Sequence, residues 1–158
     1  MRTTIKNGKS STVTIGHVVH AFDAIGGMEN GVVNLINRMP QDRVRHVVCA
    51  LTEVGVLTSR IQNPMVIYHA LHKRPGNDWR VPFRLARILR QEHVNVVHLR
   101  NWPTLVEGYV AARLSLTQKI VYSEHGRHFE DLEEGKRFNT IIKQYLFNRV
   151  DALLCVSD

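Results

Sequence analysis

The sequence predicts an α/β protein, a doubly wound and mostly parallel sheet of about six strands with helices on both faces. Three observations predict this fold class. Short apolar runs rich in β-branched residues are spread over the whole chain of 158 residues. Segments with the apolar period of an amphipathic helix lie between most of them. Strand and helix therefore alternate, as in an open parallel sheet whose ligands bind beyond the carboxyl ends of the strands.

The strands are predicted where apolar residues run without interruption, as in strands buried on both faces. The runs are Thr12–Val19, Val44–Thr52, Met65–Leu71, Val94–Leu99, Lys119–Ser123 and Ala152–Val156. Cys49 and Cys155 lie within two of these runs, so both thiols are expected to be buried, and a reducing cytoplasm fits best.

Four amphipathic helices and one short helix are predicted between the strands. Two of the four begin at a proline, which is tolerated in the first turn of a helix. The predicted inner stripes are Met28, Val32, Leu35 and Met39, ended by Pro40; Leu85, Ile88 and Leu89 after Pro82; Leu105, Tyr109 and Ala112 after Pro103; and Phe138, Ile141, Ile142 and Tyr145. Glu53–Ile61 is predicted to form the short helix.

The chain is predicted to hold one domain. Residues 1–11 are small, charged and aperiodic, which predicts a flexible tail, and residues 12–158 show no internal repeat or linker. The tail lacks the apolar core of a signal peptide, and the next apolar run is too short to span a bilayer, so a cytoplasmic protein is expected. The chain ends at "CVSD", directly after the last strand, so we expect it to belong to a longer protein.

The net charge of +7 favours anionic partners: nucleic acid, anionic lipid or phosphorylated small molecules. Aromatic residues are only 7% of the chain and show no clustered RNA-binding pattern, so nucleic acid is not expected. Arg80, Arg84 and Arg87 lie outside the apolar stripe of the second helix, with Trp79 and Phe83 near its start. This arrangement suits peripheral docking on an anionic inner membrane, and a solvated basic helix face explains it equally well.

Gly26 and Gly27 fall where the first strand gives way to the first helix. Without Cβ atoms they let backbone amides approach a diphosphate and adopt positive φ without strain, and the helix dipole favours an anion there. An ordinary strand-to-helix turn explains the same residues. The glycines at 26, 27 and 31 do not match G-x-G-x-x-G, and no Gly-Lys-Ser/Thr follows, so a nicotinamide or flavin oxidoreductase and a P-loop nucleotidase are not expected.

The motifs resemble those of family 4 retaining glycosyltransferases. "GGMENGVVNLI" is similar to the GG-x-E loop and helix after the first strand of that family, and "NVVHLRNWPTLVEGYVAA" to its fourth strand and next helix. "KIVYSEHGRHF" is similar to its fifth strand and histidine loop, and "VDALLCVSD" to the strand that closes its N-terminal domain. The resemblance runs from about Thr12 to the last residue, and is strongest to sugar transferases of bacterial exopolysaccharide gene clusters.

The resemblance implies the N-terminal, acceptor-side half of an enzyme with two Rossmann-like domains. The C-terminal domain, which carries a lysine or arginine pair and paired glutamates that grip the nucleotide sugar, is absent from this chain. Such an enzyme transfers a sugar from a nucleotide-sugar donor to a saccharide or lipid-linked acceptor in exopolysaccharide or cell-envelope synthesis. The fragment alone is expected to be inactive.

Carried over by residue, the resemblance implies a catalytic role for His125 beside the transferred sugar and diphosphate contacts from the backbone of Gly26 and Gly27. The plainer interpretation is that His125 is a loop histidine whose hydrogen bonds are made with neighbouring protein groups. Trp102 would stack on an acceptor, or simply cover the top of the sheet. The implied substrate-binding residues are Gly26, Gly27, Met28, Glu29, Asn30, Arg100, Asn101, Trp102, Gly126, Arg127 and Ser157.

No metal or cofactor is expected. The histidine pairs three residues apart lack the matched second pair of a zinc site, and no D-x-D motif occurs. A second class of function stays open: a stand-alone module that binds a saccharide or phosphorylated ligand without turnover. Continuation of the reading frame past Asp158 would favour the enzyme, and a stop there would favour the module.

Overall fold

The computed structural model describes residues 12–23, 26–125 and 136–156. These residues form one sheet of six parallel strands, in the spatial order β3-β2-β1-β4-β5-β6. The strands are β1 (Val13–Val19), β2 (Val44–Ala50), β3 (Ile67–Ala70), β4 (Val96–Arg100), β5 (Lys119–His125) and β6 (Ala152–Val156). This is the order of a doubly wound, Rossmann-like α/β fold, so the predicted fold class is confirmed.

Four α-helices connect the strands. They are α1 (Gly27–Arg38), α2 (Val81–Gln91), α3 (Trp102–Ser115) and α4 (Lys136–Phe147). The short helix predicted between β2 and β3 is a single 3₁₀ helix, Val56–Arg60. Pro82 and Pro103 both lie in the first turn of their helices, as predicted.

The helices cover the two faces of the sheet unequally. The connections that lead toward the β3 edge of the sheet contain α1 and the 3₁₀ helix and lie on one face, where Val32 and Ile36 pack with Val48. The connections that lead toward the β6 edge contain α2 and α3 and lie on the other face, where Leu85 and Leu105 pack with strand residues. This division follows from the right-handed crossover between parallel strands. Among the helices of the described ranges, none is long and apolar enough to cross a bilayer.

Burial on both faces, predicted for every strand, is wrong for the two edge strands. All four residues of β3 are only half-buried. On β6, Leu153 is 43% and Leu154 49% exposed, and Cys155 is exposed as well, contrary to its predicted burial. An edge strand has a neighbour on one side only, so the same apolar composition leaves it more accessible.

Two of the predicted helix stripes are shifted. In α1 the buried residues are Val32, Val33 and Ile36, and the predicted Leu35 is only partly buried. In α4 the predicted Ile141 and Tyr145 are exposed. The helix faces that contact the sheet therefore differ from those that the apolar spacing indicated, because several apolar residues lie next to each other in both helices.

Candidate functional site

Three neighbouring strands bring the predicted site residues to one edge of the sheet. β1, β4 and β5 are neighbours in the parallel sheet, in that order, so their carboxyl ends lie at the same edge. The chain leaves β1 toward β2 and leaves β4 toward β5, so the connections diverge between β1 and β4. A divergence of this kind opens a crevice at the carboxyl edge, which is where doubly wound sheets bind ligands.

The glycine pair begins α1 without the positive φ that the sequence suggested. Gly26 is extended, with φ −116° and ψ 168°, and Gly27 is the first helical residue. The conformational freedom of glycine is therefore not used here, because any residue adopts these conformations. A Cβ at Gly27 would meet nothing within 4 Å, and one at Gly26 would meet the end of the flexible Glu29 side chain, so close approach of a ligand to the backbone is the remaining reason for glycine.

The first turn of α1 presents free amides to the crevice. The first helical hydrogen bond runs from the N–H of Asn30 to the carbonyl of Gly26, at 3.0 Å, and among the described residues no side chain accepts from the N–H groups before Asn30. The N–H groups before Asn30 therefore point outward at the positive end of the helix dipole. An anion held there would gain from both effects.

The other predicted residues of this turn have different surroundings. Met28 packs partly buried against the core under α1. Asn30 accepts a hydrogen bond from Nη1 of Arg60 through its Oδ1, at 2.7 Å. This bond ties the side-chain amide of Asn30 to the 3₁₀ helix. Glu29 folds back beside Gly26. Its carboxylate partly opposes the lowering of the His125 pKa by burial, so the first turn of α1 lies within electrostatic reach of the end of β5.

The β4–α3 junction is held by Asn101 in a conformation that is almost reserved for glycine. Its φ is 60° and its ψ 164°. The Asn101 N–H donates to the carbonyl of Ser123 at 2.9 Å, and its Oδ1 accepts from the N–H of His125 at 2.8 Å. The hydroxyl of Thr104 accepts from the N–H of Arg100 at 2.9 Å. These bonds fix the ends of β4 and β5 relative to each other.

Arg100 carries a buried positive charge at this junction. Its side chain belongs to a residue only 3% exposed, and burial lowers its pKa to about 10. Nη1 lies 3.2 Å from Nδ1 of His17, and no carboxylate of the described residues lies within ion-pair distance of the guanidinium. The charge of Arg100 also lowers the pKa of His98 and of His125. Its field therefore favours an anion at this edge.

His125 is the last residue of β5 and is half-buried. Its Nε2 lies 2.9 Å from the hydroxyl of Ser123, and that hydroxyl lies 3.0 Å from Nε2 of His98. Burial, with a smaller effect of Arg100, lowers the pKa of His125 below its ordinary value, against the opposing effects of Glu124 and Glu29. The imidazole is therefore neutral near pH 7, able to donate from one nitrogen and accept at the other.

Trp102 begins α3 and packs partly buried against the core of the α2 and α3 face. The ammonium of Lys143, on α4, lies 5.8 Å from the centre of its ring. One side of the indole is thus occupied by the core and by a cation. This arrangement favours the plainer interpretation, in which Trp102 covers the top of the sheet.

A model of the family described as Glycosyltransferase Family 4 matches residues 25–158, which is most of the chain. The chain belongs to glycosyltransferase family 4. The match includes the amino end of α1, the β4–α3 junction and His125. The family resemblance stated from the motifs is confirmed.

Solved structures agree with this family's fold. The chain is similar to a glycosyltransferase from Rickettsia africae ESF-5, at 15% sequence identity and a TM-score of 0.59. The similarity covers 92% of this chain and 43% of that protein, so this family 4 chain spans less than half the length of that structural relative. No curated protein sequence matches the chain significantly.

The structure brings together six of the nine described residues that the family resemblance implied. Those at the shared edge are Gly26, Gly27, Glu29, Arg100, Asn101 and His125. Gly126, Arg127 and Ser157 lie outside the described residues. Sequence reasoning missed His17, His98 and Ser123, which extend the site into the sheet. Polar residues two apart in apolar strands, as in His98–Arg100 and Ser123–His125, were the signal that could have found them.

Proposed function

We propose that this chain is the N-terminal, acceptor-side part of a retaining glycosyltransferase. The enzyme would move a sugar from a nucleotide-sugar donor to a saccharide or lipid-linked acceptor in bacterial exopolysaccharide or cell-envelope synthesis. Membership of glycosyltransferase family 4 supports the reaction class. The observation that carries the proposal is the meeting of the α1 amino end, Arg100 and His125 at one edge of the sheet.

The chemistry of the edge fits the charge that develops in such a transfer. The bond from the anomeric carbon to the diphosphate oxygen breaks, a bond to the acceptor oxygen forms, and the proton of the acceptor hydroxyl passes to the leaving diphosphate. Negative charge grows on the leaving diphosphate. The uncapped amides of α1 and the buried charge of Arg100 would stabilise that charge. His125, neutral and held at its backbone, would position a sugar hydroxyl through its ring.

The proposed donor contacts from this chain are backbone N–H groups at Gly27 and Met28, which would hold the diphosphate directly. The proposal assigns no metal ion to the residues of this chain. The use of a nucleotide-sugar donor, the kind of acceptor and the retention of configuration are parts of this proposal. The alternative function for the chain is a module that binds a saccharide or phosphorylated ligand without turnover.

The membrane is proposed as a peripheral partner through the start of α2. Trp79 is 70% and Phe83 58% exposed, and their rings meet edge to face with centres 6.4 Å apart. Arg80, Arg84 and Arg87 are exposed beside them. Aromatic side chains next to arginines suit the headgroup region of an anionic bilayer. Because α2 begins at the carboxyl edge of the sheet, such docking would bring a lipid-linked acceptor close to the crevice.

The test of the function uses the product of the reading frame continued past Asp158. We expect that product to transfer sugar from a nucleotide sugar, and His125→Asn to lower kcat by roughly a hundredfold or more. His93→Asn is the matched control: His93 is an exposed histidine at the opposite edge of the sheet, with φ 51°, a conformation that asparagine tolerates. An unchanged kcat in His125→Asn would contradict the catalytic role. A stop codon at Asp158 together with ligand binding would favour the module.

A further inference from the structure

A continuous hydrogen-bonded path joins two histidines through one serine on the α1 face of the sheet. Nε2 of His98 lies 3.0 Å from Oγ of Ser123, and Oγ of Ser123 lies 2.9 Å from Nε2 of His125. Parallel register pairs Arg100 with Ser123 and His98 with Val121, so these side chains share one face. Ser123 is only 2% exposed, which keeps water from competing for its hydroxyl.

The protons of this path can be counted. A serine hydroxyl carries one hydrogen, and a neutral imidazole carries one hydrogen on one of its nitrogens. Burial lowers the pKa of His98 to about 3 and also lowers that of His125, so both rings are neutral near pH 7. If Ser123 donates to one Nε2, the other Nε2 must donate to Ser123. The two histidines are then opposite tautomers.

We propose that Ser123 is a positioning residue that couples the tautomer of His125 to that of His98. Through Ser123, the tautomer of His98 and the choice of whether Nδ1 of His125 donates or accepts a hydrogen bond are linked. The consequence for a bound sugar rests on the function proposed above, because it assumes that His125 faces the sugar. The coupling itself does not depend on that function. The bond from the His125 N–H to Asn101 fixes the backbone from which the ring projects.

A second path on the same face is separate and has a fixed direction. Arginine only donates, so Nδ1 of His17 accepts from Arg100 across 3.2 Å, and His17 carries its proton on Nε2. That Nε2 lies 3.0 Å from Nδ1 of His46, so His46 is also protonated on Nε2, which is buried without a partner in the described structure. His17 and His46 therefore share one tautomer that Ser123 does not influence.

The experiment reads the ring nitrogens directly in the chain as it stands. Two-bond ¹H–¹⁵N correlation spectra of ¹⁵N-histidine-labelled protein, at about pH 7.5, distinguish the two neutral tautomers and the cation. In the wild-type protein we expect the two rings to be opposite tautomers, so that the fractions of His98 and of His125 protonated on Nε2 add up to about one. His17 and His46, both protonated on Nε2, serve as internal references.

Two variants then test the coupling. Ser123→Ala should release both rings from this relation, so that the two Nε2-protonated fractions no longer add up to about one. His98→Phe keeps a ring of similar shape and the Ser123 hydroxyl but removes Nε2, and it should change the Nε2-protonated fraction of His125. Ser115→Ala is the matched control, since it removes the serine hydroxyl at the end of α3 that bonds to Ala112 and Thr117. It should leave His125 unchanged.

Nε2-protonated fractions of His98 and His125 that do not add up to about one in the wild-type protein, or an unchanged His125 in folded His98→Phe, would overturn the proposal. The wild-type spectrum decides the matter even if a variant fails to fold. Because no sugar nucleotide is used, failure of the coupling is distinguishable from failure of the proposed function. If the spectra show opposite tautomers but kcat is unaltered in His125→Asn, the coupling is supported and the catalytic role of His125 is rejected.

Discussion

At the scale of single residues, Asn101 joins the β4 and β5 ends of the site at a cost in backbone strain. Its φ of 60° with ψ 164° falls in a region that costs about 1–3 kcal/mol for a residue other than glycine. The strain persists because the backbone and the amide oxygen are both hydrogen-bonded to β5. A residue that keeps this conformation to hold a histidine in position is typical of a binding or catalytic edge.

Two substitutions at Asn101 separate the strain from the hydrogen bond. Asn101→Ala loses the bond to the His125 N–H and keeps the strain, so we expect the free energy of unfolding to fall by roughly 1–3 kcal/mol. Asn101→Gly loses the same bond but relieves the strain, so its loss should be smaller by about 1 kcal/mol. Urea titration of both variants measures the difference. Equal stability of the two variants would contradict the strained geometry.

Buried histidines make the stability of the chain depend on pH. Burial lowers the pKa of His17, His46 and His98, to about 3 for His98. Above about pH 6.5 these rings are neutral in both the folded and the unfolded chain and contribute no pH dependence. Below that pH the unfolded chain binds protons that the folded chain does not, so the free energy of unfolding must fall as the pH falls.

We expect each such histidine to remove up to about 1.4 kcal/mol of stability per pH unit between roughly pH 6.5 and 4.5. Urea midpoints at several pH values in this range measure the slope before the carboxylates titrate. His98→Gln should flatten the slope, because it removes one of the contributing groups. His93→Asn, at an exposed position, should leave the slope nearly unchanged. A slope that persists in full in His98→Gln would contradict the burial of that ring as a neutral group.

At the scale of elements, α2 carries the surface proposed for the membrane. Arg84 and Arg87 are exposed on it, and Trp79 and Phe83 lie exposed at its start. In the described residues around this surface, Asp78 is the one carboxylate between Lys73 and Gln91. A strong positive field with little local compensation is attracted to anionic headgroups, at about 1 kcal/mol per basic residue close to the surface.

Charge reversal on α2 tests this attraction. The Arg84→Glu, Arg87→Glu variant should float with phosphatidylglycerol vesicles at least about tenfold less than the wild-type protein, and neither should bind phosphatidylcholine vesicles. Arg38→Glu, Arg43→Glu is the matched control, because both residues are exposed near the end of α1, away from this surface. Flotation that the α2 variant leaves unaffected would favour a solvated helix face without a membrane role.

The elements also show which features of the fold could be predicted from the sequence patterns. The strands and helices could be predicted because apolar period and β-branched runs reflect local backbone preference. The burial of β6 and the inner face of α4 could not, since both depend on what lies against them. Tyr145, predicted to face inward, is exposed with the guanidinium of Arg149 at 4.1 Å from its ring, and the adjacent Leu146 is buried instead.

The candidate site was predictable to a similar degree. Parallel strands end at one edge, so the sequence positions of Gly26, Arg100 and His125 were enough to predict that they meet there. The roles of Asn101 and Ser123 could not be predicted, because a hydrogen bond between strands depends on register and on the backbone conformation of the junction. Of the two properties of glycine that the sequence suggested here, positive φ is not used, and close approach of the backbone to a ligand stays a prediction.

At the scale of the whole molecule, the proposed function makes the described edge one wall of a transfer site. It supplies amides at the start of α1, the charge of Arg100 and the ring of His125. Transfer also requires a donor held in a reactive orientation and water kept away from the anomeric carbon. The family resemblance attributes the groups that grip the nucleotide to a second domain, and the chain spans 43% of its structural relative.

We therefore expect the chain alone to fold and to bind ligands weakly, but to transfer or hydrolyse nucleotide sugars at least about a thousandfold more slowly than a product that contains both domains. Binding at the α1 amino end depends on backbone amides that are already in place, whereas rate depends on the orientation of two substrates at once. Nucleotide release from a panel of nucleotide sugars measures the rate, and ¹⁵N amide shifts at Gly27 and Met28 on addition of pyrophosphate measure the binding. Rates comparable to the two-domain product would mean that this edge is sufficient for chemistry, and the division of labour between two domains would be wrong.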